Sequence, residues 1–469
     1  MNISTRSMLF LVSSLALLAV SSGAAHAWQD IHLRVVPYQL ATDPAGNLFV
    51  KSYSKRVSHH ESPPLVMKID QRGHVAWRHR VRGNNRRDEN GHVNALVPIP
   101  NGDVVAAGDT TDVDGARFVV VRLGGRDGRE RWLTRVHGSV SSYTSYDGAR
   151  AAALCADGDV VAAGVLTNSD SGFYGGPTVV KLAGTTGEER WRVVPSLGIG
   201  DVVAVDASGD VLAGGGANIV KLAGATGALV WQRQVDAAEF TSALAIDSAG
   251  DILLAMGATK PDGSDFGVVK IAGTTGEVQW IARESGSTNR WQRALRVVVD
   301  SSGGVFAAGM TNNGAGDAAR SDGYVFTVVR LDSTTGARRW IYEAPSAAGY
   351  GFATQLQLDP SGLVIAAGTT GDVTTCQNGF IVALDPVEGR VVWSSTFDGT
   401  ASAPNCRYEC PYHARCPLID DDDLSAMALD PTGRMFVGLV LLDGKGFGAR
   451  FRSSIRSLPA PTMATAIAP

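Results

Sequence analysis

The stretch that decides the fold reads Ala243-Leu-Ala-Ile-Asp247-Ser-Ala-Gly250-Asp-Ile-Leu-Leu-Ala255 and continues, after a short gap, as Val268-Val-Lys-Ile-Ala-Gly-Thr-Thr-Gly276-Glu-Val-Gln-Trp280. The first half is an apolar strand, a D-x-x-G turn and a second apolar strand. The second half has the same plan around a T-T-G-E turn. In such turns Asp accepts local backbone hydrogen bonds and Gly supplies the positive φ that reverses the chain. The two halves therefore predict two β-hairpins, which together make a four-stranded antiparallel sheet.

This unit recurs along the whole chain, as in a repeat protein. The glycine of the first turn occurs eight times, at Gly46, Gly102, Gly158, Gly209, Gly250, Gly303, Gly362 and Gly433. The tryptophan after the second turn occurs seven times, at Trp77, Trp132, Trp191, Trp231, Trp280, Trp340 and Trp393. A repeated four-stranded antiparallel sheet is the blade of a β-propeller, so eight first turns predict eight blades.

The eighth unit stops at Phe451, before a tryptophan strand of its own. Trp28 lies 15 residues ahead of Asp43, as Trp191 lies 15 ahead of Asp206 and Trp231 lies 16 ahead of Asp247. The N-terminal strand is therefore expected to complete the last blade. Such closure removes exposed sheet edges at the ends of the array. The predicted fold is all-β, a single eight-bladed β-propeller of four-stranded antiparallel blades, with seven blades as the alternative.

The first 27 residues have the pattern of a signal peptide. Arg6 precedes an apolar run from Met8 to Val20, and small residues end the segment at Ala25-His-Ala27. The run is too short for a stable transmembrane anchor. We therefore expect a signal peptide at residues 1–27, a propeller domain at 28–456 and a disordered tail at 457–469, with export to the periplasm or the extracellular space.

Charge and loop length indicate the kind of partner. With 42 Lys and Arg against 46 Asp and Glu, the net charge of −4 does not favour nucleic acid. The turns within hairpins are short, whereas the mid-blade loops and blade-to-blade connections on the opposite face are long. Because binding residues concentrate on variable loops of a rigid scaffold, a protein or glycan ligand is expected on the long-loop face of a monomer.

Four cysteines cluster around the longest insert. They are Cys376, Cys406, Cys410 and Cys416. In an exported chain such cysteines favour disulfides, and a metal site with His413 is the alternative. Cys155 is left over and is interpreted as a buried free thiol.

An acidic run closes the same insert. Its members are Asp420, Asp421, Asp422 and Asp423. Their carboxylates could ligate a divalent cation such as calcium. The alternative is a solvated acidic loop ahead of the strand that begins near Leu424.

The turn segments carry a resemblance to a known family. Lys181-Leu-Ala-Gly-Thr-Thr-Gly187-Glu-Glu-Arg-Trp191 and Arg330-Leu-Asp-Ser-Thr-Thr-Gly336-Ala-Arg-Arg-Trp340 resemble the tryptophan-docking repeat of PQQ-like, quinoprotein-type propellers. Val299-Asp-Ser-Ser-Gly303 also resembles the SBBP-type bacterial propeller repeat. The resemblance implies that each tryptophan, Trp28 included, docks on the next blade.

The same resemblance bears on cofactors. Quinoprotein alcohol dehydrogenases usually stack PQQ on two adjacent cysteines, and no two of the five cysteines here are adjacent. No cofactor is therefore predicted, with calcium or PQQ as the alternatives. No G-x-S-x-G elbow occurs, and no catalytic residue is nominated.

The leading functional hypothesis is a secreted non-catalytic propeller that presents its loop-rich face to a protein or glycan. The first alternative is a PQQ-dependent or metal-dependent oxidoreductase. The second is an envelope-assembly scaffold similar to the outer-membrane assembly propellers. The sequence leaves open whether the protein is an enzyme, and the interpretation that it is not one is preferred.

Overall fold

The computed structural model describes most of the chain after the N-terminal segment. The described residues are 29–32, 35–54, 64–83, 91–112, 115–139, 147–167, 176–196, 200–261, 263–286, 291–312, 323–344, 351–372, 376–398, 423–443 and 450–458. Within these ranges the secondary structure consists of strands, and no helix is long and apolar enough to cross a membrane.

The strands form eight four-stranded antiparallel sheets, which are numbered as blades in chain order. Blades 1 to 4 and the N-terminal strand comprise β1 Gln29–His32, β2 Val35–Thr42, β3 Leu48–Ser54, β4 Leu65–Ile69, β5 Val75–Arg80, β6 Gly91–Pro98, β7 Val104–Asp112, β8 Gly115–Leu123, β9 Glu130–Val136, β10 Gly148–Leu154, β11 Val160–Leu166, β12 Gly176–Leu182, β13 Glu189–Val193, β14 Val202–Val205, β15 Val211–Gly215, β16 Asn218–Leu222 and β17 Leu229–Gln234. Blades 5 to 8 comprise β18 Ala238–Ile246, β19 Ile252–Lys260, β20 Gly263–Ile271, β21 Val278–Glu284, β22 Arg293–Val299, β23 Val305–Asn312, β24 Tyr324–Leu331, β25 Arg338–Glu343, β26 Gly351–Leu358, β27 Val364–Asp372, β28 Cys376–Leu384, β29 Val391–Phe397, β30 Asp423–Leu429, β31 Met435–Asp443 and β32 Arg450–Leu458.

The last sheet closes the ring. Its strand order is β1-β32-β31-β30, and Gln29 pairs with Ser457 while His32 pairs with Ser454. The predicted eight blades and the closing N-terminal strand are therefore confirmed. β32 runs to Leu458, two residues into the segment expected to be a tail, because Ser457 pairs with Phe436.

The core lies between the blades. On β7, Val104 and Ala106 pack toward Phe49 of blade 1, whereas Val105 and Ala107 pack with blade 3 residues such as Val160. Since both faces of a strand are buried against neighbouring blades, continuous apolar runs replace the alternation of a half-exposed strand. This explains why the repeats read V-V-A-A-G.

Blades 1 to 6 each dock on the next blade through a tryptophan of the outer strand. Trp191 Nε1 donates a hydrogen bond to Gly224 O at 3.1 Å, and its ring lies where a Cβ on Gly227 would stand. Gly227 has a φ of 73°, so a side chain there meets both strain and the indole. The same Nε1 bond joins Trp77 to Gly125, Trp132 to Gly184, Trp231 to Gly273, Trp280 to Ser333 and Trp340 to Pro386.

A buried lysine reinforces several of these seams. Lys221 Nζ lies 2.7 Å from Asp206 Oδ2 and also donates to Gly273 O in the next blade at 3.2 Å. Both side chains are about nine-tenths buried, so each charge needs its partner. Lys68 with Asp43, Lys181 with Asp157 and Lys270 with Asp247 repeat the pair.

Blade 3 departs from this pattern at the first turn. Cys155 stands where blades 4 and 5 have Asp206 and Asp247, and it makes the same turn, with its N–H bonded to Asp159 O at 2.8 Å. The thiol is free and buried, and burial raises the pKa of Cys155 to about 11. Lys181 consequently takes Asp157 as its partner, two residues further along.

Candidate functional site

A cavity of about 710 Å³ opens where the innermost strands of several blades end in their first turns. It therefore lies on the short-turn face, at the mouth of the central channel. The long-loop face predicted to bind a ligand is the opposite one, and most of its loops lie outside the described residues. The cavity is lined by Thr42, Asp43, Pro44, Pro98, Pro100, Leu154, Val298, Gln357, Leu358, Pro360, Leu429, Asp430 and Pro431.

Four adjacent blades contribute a proline to this mouth. Pro44, Pro100, Pro360 and Pro431 hold the second position of the first turn in blades 1, 2, 7 and 8. Proline has a fixed φ that suits this turn position and no N–H that would need a partner. Blades 4 and 5 have Ala207 and Ser248 there. The arc from blade 7 to blade 2 is consequently apolar and stiff.

Hydrogen bonds between blades hold the cavity wall in place. Thr42 Oγ1 donates to Leu429 O at 2.6 Å, which links blade 1 to blade 8. Gln357 Nε2 donates to Met427 O at 3.3 Å, and Leu429 N–H donates to Gln357 Oε1 at 3.1 Å, which links blade 7 to blade 8. The leucines of the wall are therefore presented by a preformed frame.

The carboxylates at the cavity are used by the turns themselves. Asp430 Oδ1 accepts hydrogen bonds from Thr432 N, Thr432 Oγ1 and Arg434 N at 2.6 to 2.9 Å. Asp43 accepts from Asn47 and pairs with Lys68 at 3.1 Å. With these groups satisfied, the cavity is suited to binding an apolar group and offers no acid–base pair.

Polar side chains also stand on the innermost strands of blades 2, 3 and 6, away from the first turns. His92 Nδ1 lies 3.1 Å from Asp109 Oδ2, and this hydrogen bond raises the pKa of His92. Arg150 lies 2.5 Å from Asp201 of the next blade. Arg296 is largely buried, and burial lowers its pKa. No sequence motif pointed to these residues, because each stands in a different repeat.

Several residues predicted as sites lie beyond what the structure describes. Cys406, Cys410, Cys416, Asp420, Asp421, Asp422 and Trp28 lie outside the described residues. Cys376 begins β28 and Asp423 begins β30, so only their strand positions are defined. The disulfides, the metal site and the docking of Trp28 remain predictions. The pairing of β1 places Gln29, one residue after Trp28, opposite Ser457.

Trp393 is the remaining tryptophan of the predicted docking set. It pairs with Ala383 and packs in the apolar cluster between blades 7 and 8 that includes Leu458. Blade 8 has no covalent second turn, because its third and fourth strands come from opposite ends of the chain. Trp393 therefore faces a different surface from the one that Trp191 meets.

The sequence lacks the adjacent cysteine pair on which quinoprotein alcohol dehydrogenases usually stack PQQ. Cys155, whose thiol is described, is buried in a turn. Across the described ranges no three His, Cys, Asp or Glu side chains converge as metal ligands.

Comparison with known proteins agrees with this architecture. A sequence model described as outer membrane protein assembly factor BamB matches residues 176–349 and 290–407. No curated protein matches the chain.

Solved structures resemble the chain at the level of fold. A computationally designed protein, Ika8, is 12% identical with a TM-score of 0.51, over 91% of this chain and 97% of that one. Quinohemoprotein alcohol dehydrogenase from Comamonas testosteroni is 14% identical with a TM-score of 0.50, over 93% of this chain and 76% of that one. BamB from Moraxella catarrhalis is 13% identical with a TM-score of 0.49, over 92% and 99%. At these identities Ika8 and the quinohemoprotein alcohol dehydrogenase show the fold alone.

The fold and its seams thus define an eight-bladed β-propeller with tryptophan-docked blades. The sequence match over residues 176–407 supports a propeller of the PQQ-like kind.

Proposed function

We propose that the protein is an exported, non-catalytic scaffold that binds an apolar segment of a protein partner in the cavity on its short-turn face. The observation that carries the proposal is the proline arc of Pro44, Pro100, Pro360 and Pro431 around a preformed opening. The family description as an outer membrane protein assembly factor supports a protein partner over a glycan. A role in assembly at the cell envelope is the specific form of this function.

The size and chemistry of the opening support such a ligand. A volume of about 710 Å³ falls within the range of about 300 to 1,000 Å³ typical of ligand pockets. The cavity wall includes Leu154, Val298, Leu358 and Leu429. An apolar side chain of the ligand that packs against them would be removed from water. Each apolar side chain so buried contributes about 1.5 to 3 kcal/mol before the cost of ordering the ligand.

The test uses peptides as defined probes. Fluorescence anisotropy would compare an uncharged twelve-residue peptide rich in Leu and Phe with the same peptide carrying two central aspartates. The double variant Pro360→Asp/Pro431→Asp changes two turn positions at the rim, where most residues are tolerated. We expect the parent to prefer the uncharged peptide and the variant to bind it at least tenfold more weakly.

The matched control is Ala207→Asp/Ser248→Asp, which changes the same turn position in blades 4 and 5, outside the cavity lining. It should leave the affinity unchanged. Equal weakening by both double variants, or no preference between the two peptides, would refute the proposal.

A further inference from the structure

The outer strand of blade 7 differs from the other outer strands in its charge. Within the strand bounds that the structure describes, β5, β9, β13, β17, β21, β25 and β1 each carry at least one Asp, Glu, Lys or Arg. β29, which reads Val391-Val-Trp-Ser-Ser-Thr-Phe397, carries none. Charged side chains on an edge strand are a common protection against pairing with another chain. Blade 7 lacks that protection.

The same strand exposes apolar surface. Val391 is 48% exposed and Val392 is 53% exposed, and Val387 in the preceding turn is 67% exposed. β29 is the last strand of its sheet, bonded to β28 on one side. In an antiparallel sheet the outer side of such a strand directs alternate N–H and C=O groups away from the sheet. Another extended strand can form hydrogen bonds with this row of N–H and C=O groups.

The flanking charges identify a second copy of this strand as the occupant. Two antiparallel copies related by a two-fold axis at Ser394 bring the Arg390 end of one strand to the Asp398 end of the other, with the bulge at Val392 between the axis and Arg390. Val392 and Thr396, both β-branched, lie on the two sides of the axis. Arg390, which is 76% exposed beside Glu388, would meet an opposite charge, and the symmetry makes that contact twice.

The geometry points to a homodimer in which the β29 strands of two copies pair antiparallel about Ser394 and join two blades into one eight-stranded sheet. This departs from the monomer expected from the sequence, and it does not depend on the proposed function. A contact built on one edge strand is smaller than the standard interface of about 1,600 Å², so a weak, concentration-dependent dimer is expected.

The first test is sedimentation velocity of the full mature chain from 1 μM to 1 mM, a range chosen to bracket a weak dimer on the order of 10 to 100 μM. Ser394→Lys places two lysines opposite each other at the axis, and the dissociation constant should rise at least tenfold. Gln232→Lys is the matched control, because Gln232 follows Trp231 in β17 as Ser394 follows Trp393 in β29. A parent that stays monomeric throughout the range would overturn the proposal.

The second test addresses the register. Arg390→Asp should weaken the dimer, and the charge swap Arg390→Asp/Asp398→Arg should restore it. Under mild oxidation Ser394→Cys should form a 394-to-394 disulfide between copies, identified by peptide mass spectrometry, whereas Gln232→Cys should not. Equal cross-linking at both positions, or a charge swap that fails to restore the dimer, would contradict this pairing.

Discussion

The seam between blades 3 and 4 and the seam where blade 8 meets blade 1 use different side chains for the same acceptor. In the first, Trp191 and Lys181 both donate to Gly224 O, at 3.1 and 3.2 Å. In the second, the equivalent turn carbonyl is Gln71 O, and Arg434 donates to it at 2.6 Å. Both seams therefore use the carbonyl at the same position of the second turn as acceptor, and in the closing seam an arginine from the first turn donates to it.

The substitution in the closing seam has a physical reason. Ser457 of β32 occupies the position that Lys181 holds in blade 3, and it is too short to reach the next blade. Arg434 lies on the first turn of blade 8, contacts Ser457 Oγ at 3.2 Å and covers the Phe436 ring at 4.9 Å. The Ile31 side chain lies where a Cβ on Gly73 would point. At this seam the third and fourth strands of blade 8 come from opposite ends of the chain, and Arg434 makes the bond between blades that a lysine makes elsewhere.

Among the substitutions that test this comparison, removal of a docked tryptophan should lower the free energy of unfolding most. Trp191→Ala deletes a buried indole and its hydrogen bond to Gly224, so unfolding should become easier by about 3 to 5 kcal/mol. Gln29→Ala, at the pairing position of the closing strand, should cost less than about 0.5 kcal/mol. Urea denaturation of both variants checks the contrast. Equal losses would mean that tryptophan docking does not distinguish the seams.

Removing a seam lysine should come next. Lys221→Met leaves Asp206 buried without its cation, which should cost about 3 kcal/mol at neutral pH. Equilibrium unfolding in urea measures this loss. The matched control is Lys260→Met: Lys260 pairs with Asp265 within its own blade, as Lys221 does with Asp206, but Lys221 also donates to Gly273 O of the next blade. If both variants lose the same stability, that bond between blades contributes nothing extra.

The pH dependence of the same pair has a defined sign. Burial raises the pKa of Asp206, but hydrogen bonds from Lys221 and Ser208 outweigh it, so the folded-state pKa lies below 3.8. The pair therefore stabilises the fold above that pH, and the contribution is lost as pH falls through the folded value. In Lys221→Met burial acts with fewer opposing bonds. The pKa of Asp206 should therefore be higher in the variant, and the free energy of unfolding should fall less with acid than in the parent. The difference between parent and variant should narrow as pH falls below about 4, as measured by urea denaturation at each pH.

Removal of Arg434, the residue that donates to Gln71 O in the closing seam, should lower the free energy of unfolding least. Arg434→Ala removes the bond to Gln71 O from a partly exposed position, so the loss should be about 1 kcal/mol. Arg434→Lys should recover part of it, since a lysine retains the charge but not the forked donor. A loss as large as that of Trp191→Ala would show that the closing seam depends on this residue alone.

The sequence was sufficient for the blades because each repeat carries its own turn signals. Gly250 and Gly276 mark hairpins that form from local residues, and their recurrence set the blade number. The closing strand was also predictable, from a missing strand at one end and a spare one at the other. The burial of Cys155 followed from its place beside a turn.

The cavity and the seam donors could not be read in the same way. Pro360, Pro431, Pro44 and Pro100 belong to four units that become neighbours only when the ring closes, although a proline in each second turn position was a visible signal. Arg434 replaces a lysine from a different strand, so no alignment of repeats would match them. These contacts join residues that are far apart in the sequence and become neighbours only in the closed ring.

Closure of the ring by the N-terminal strand is the central claim, and a designed disulfide tests it most directly. Asp30 pairs with Arg456 across β1 and β32, and their side chains form an ion pair at 2.8 Å. Asp30→Cys/Arg456→Cys should therefore cross-link within one chain, and the linked peptides would be identified by mass spectrometry. Asp30→Cys/Ile455→Cys places the thiols on opposite faces of the sheet and should not. Cross-linking of the second pair and not the first, or of neither, would contradict this closure.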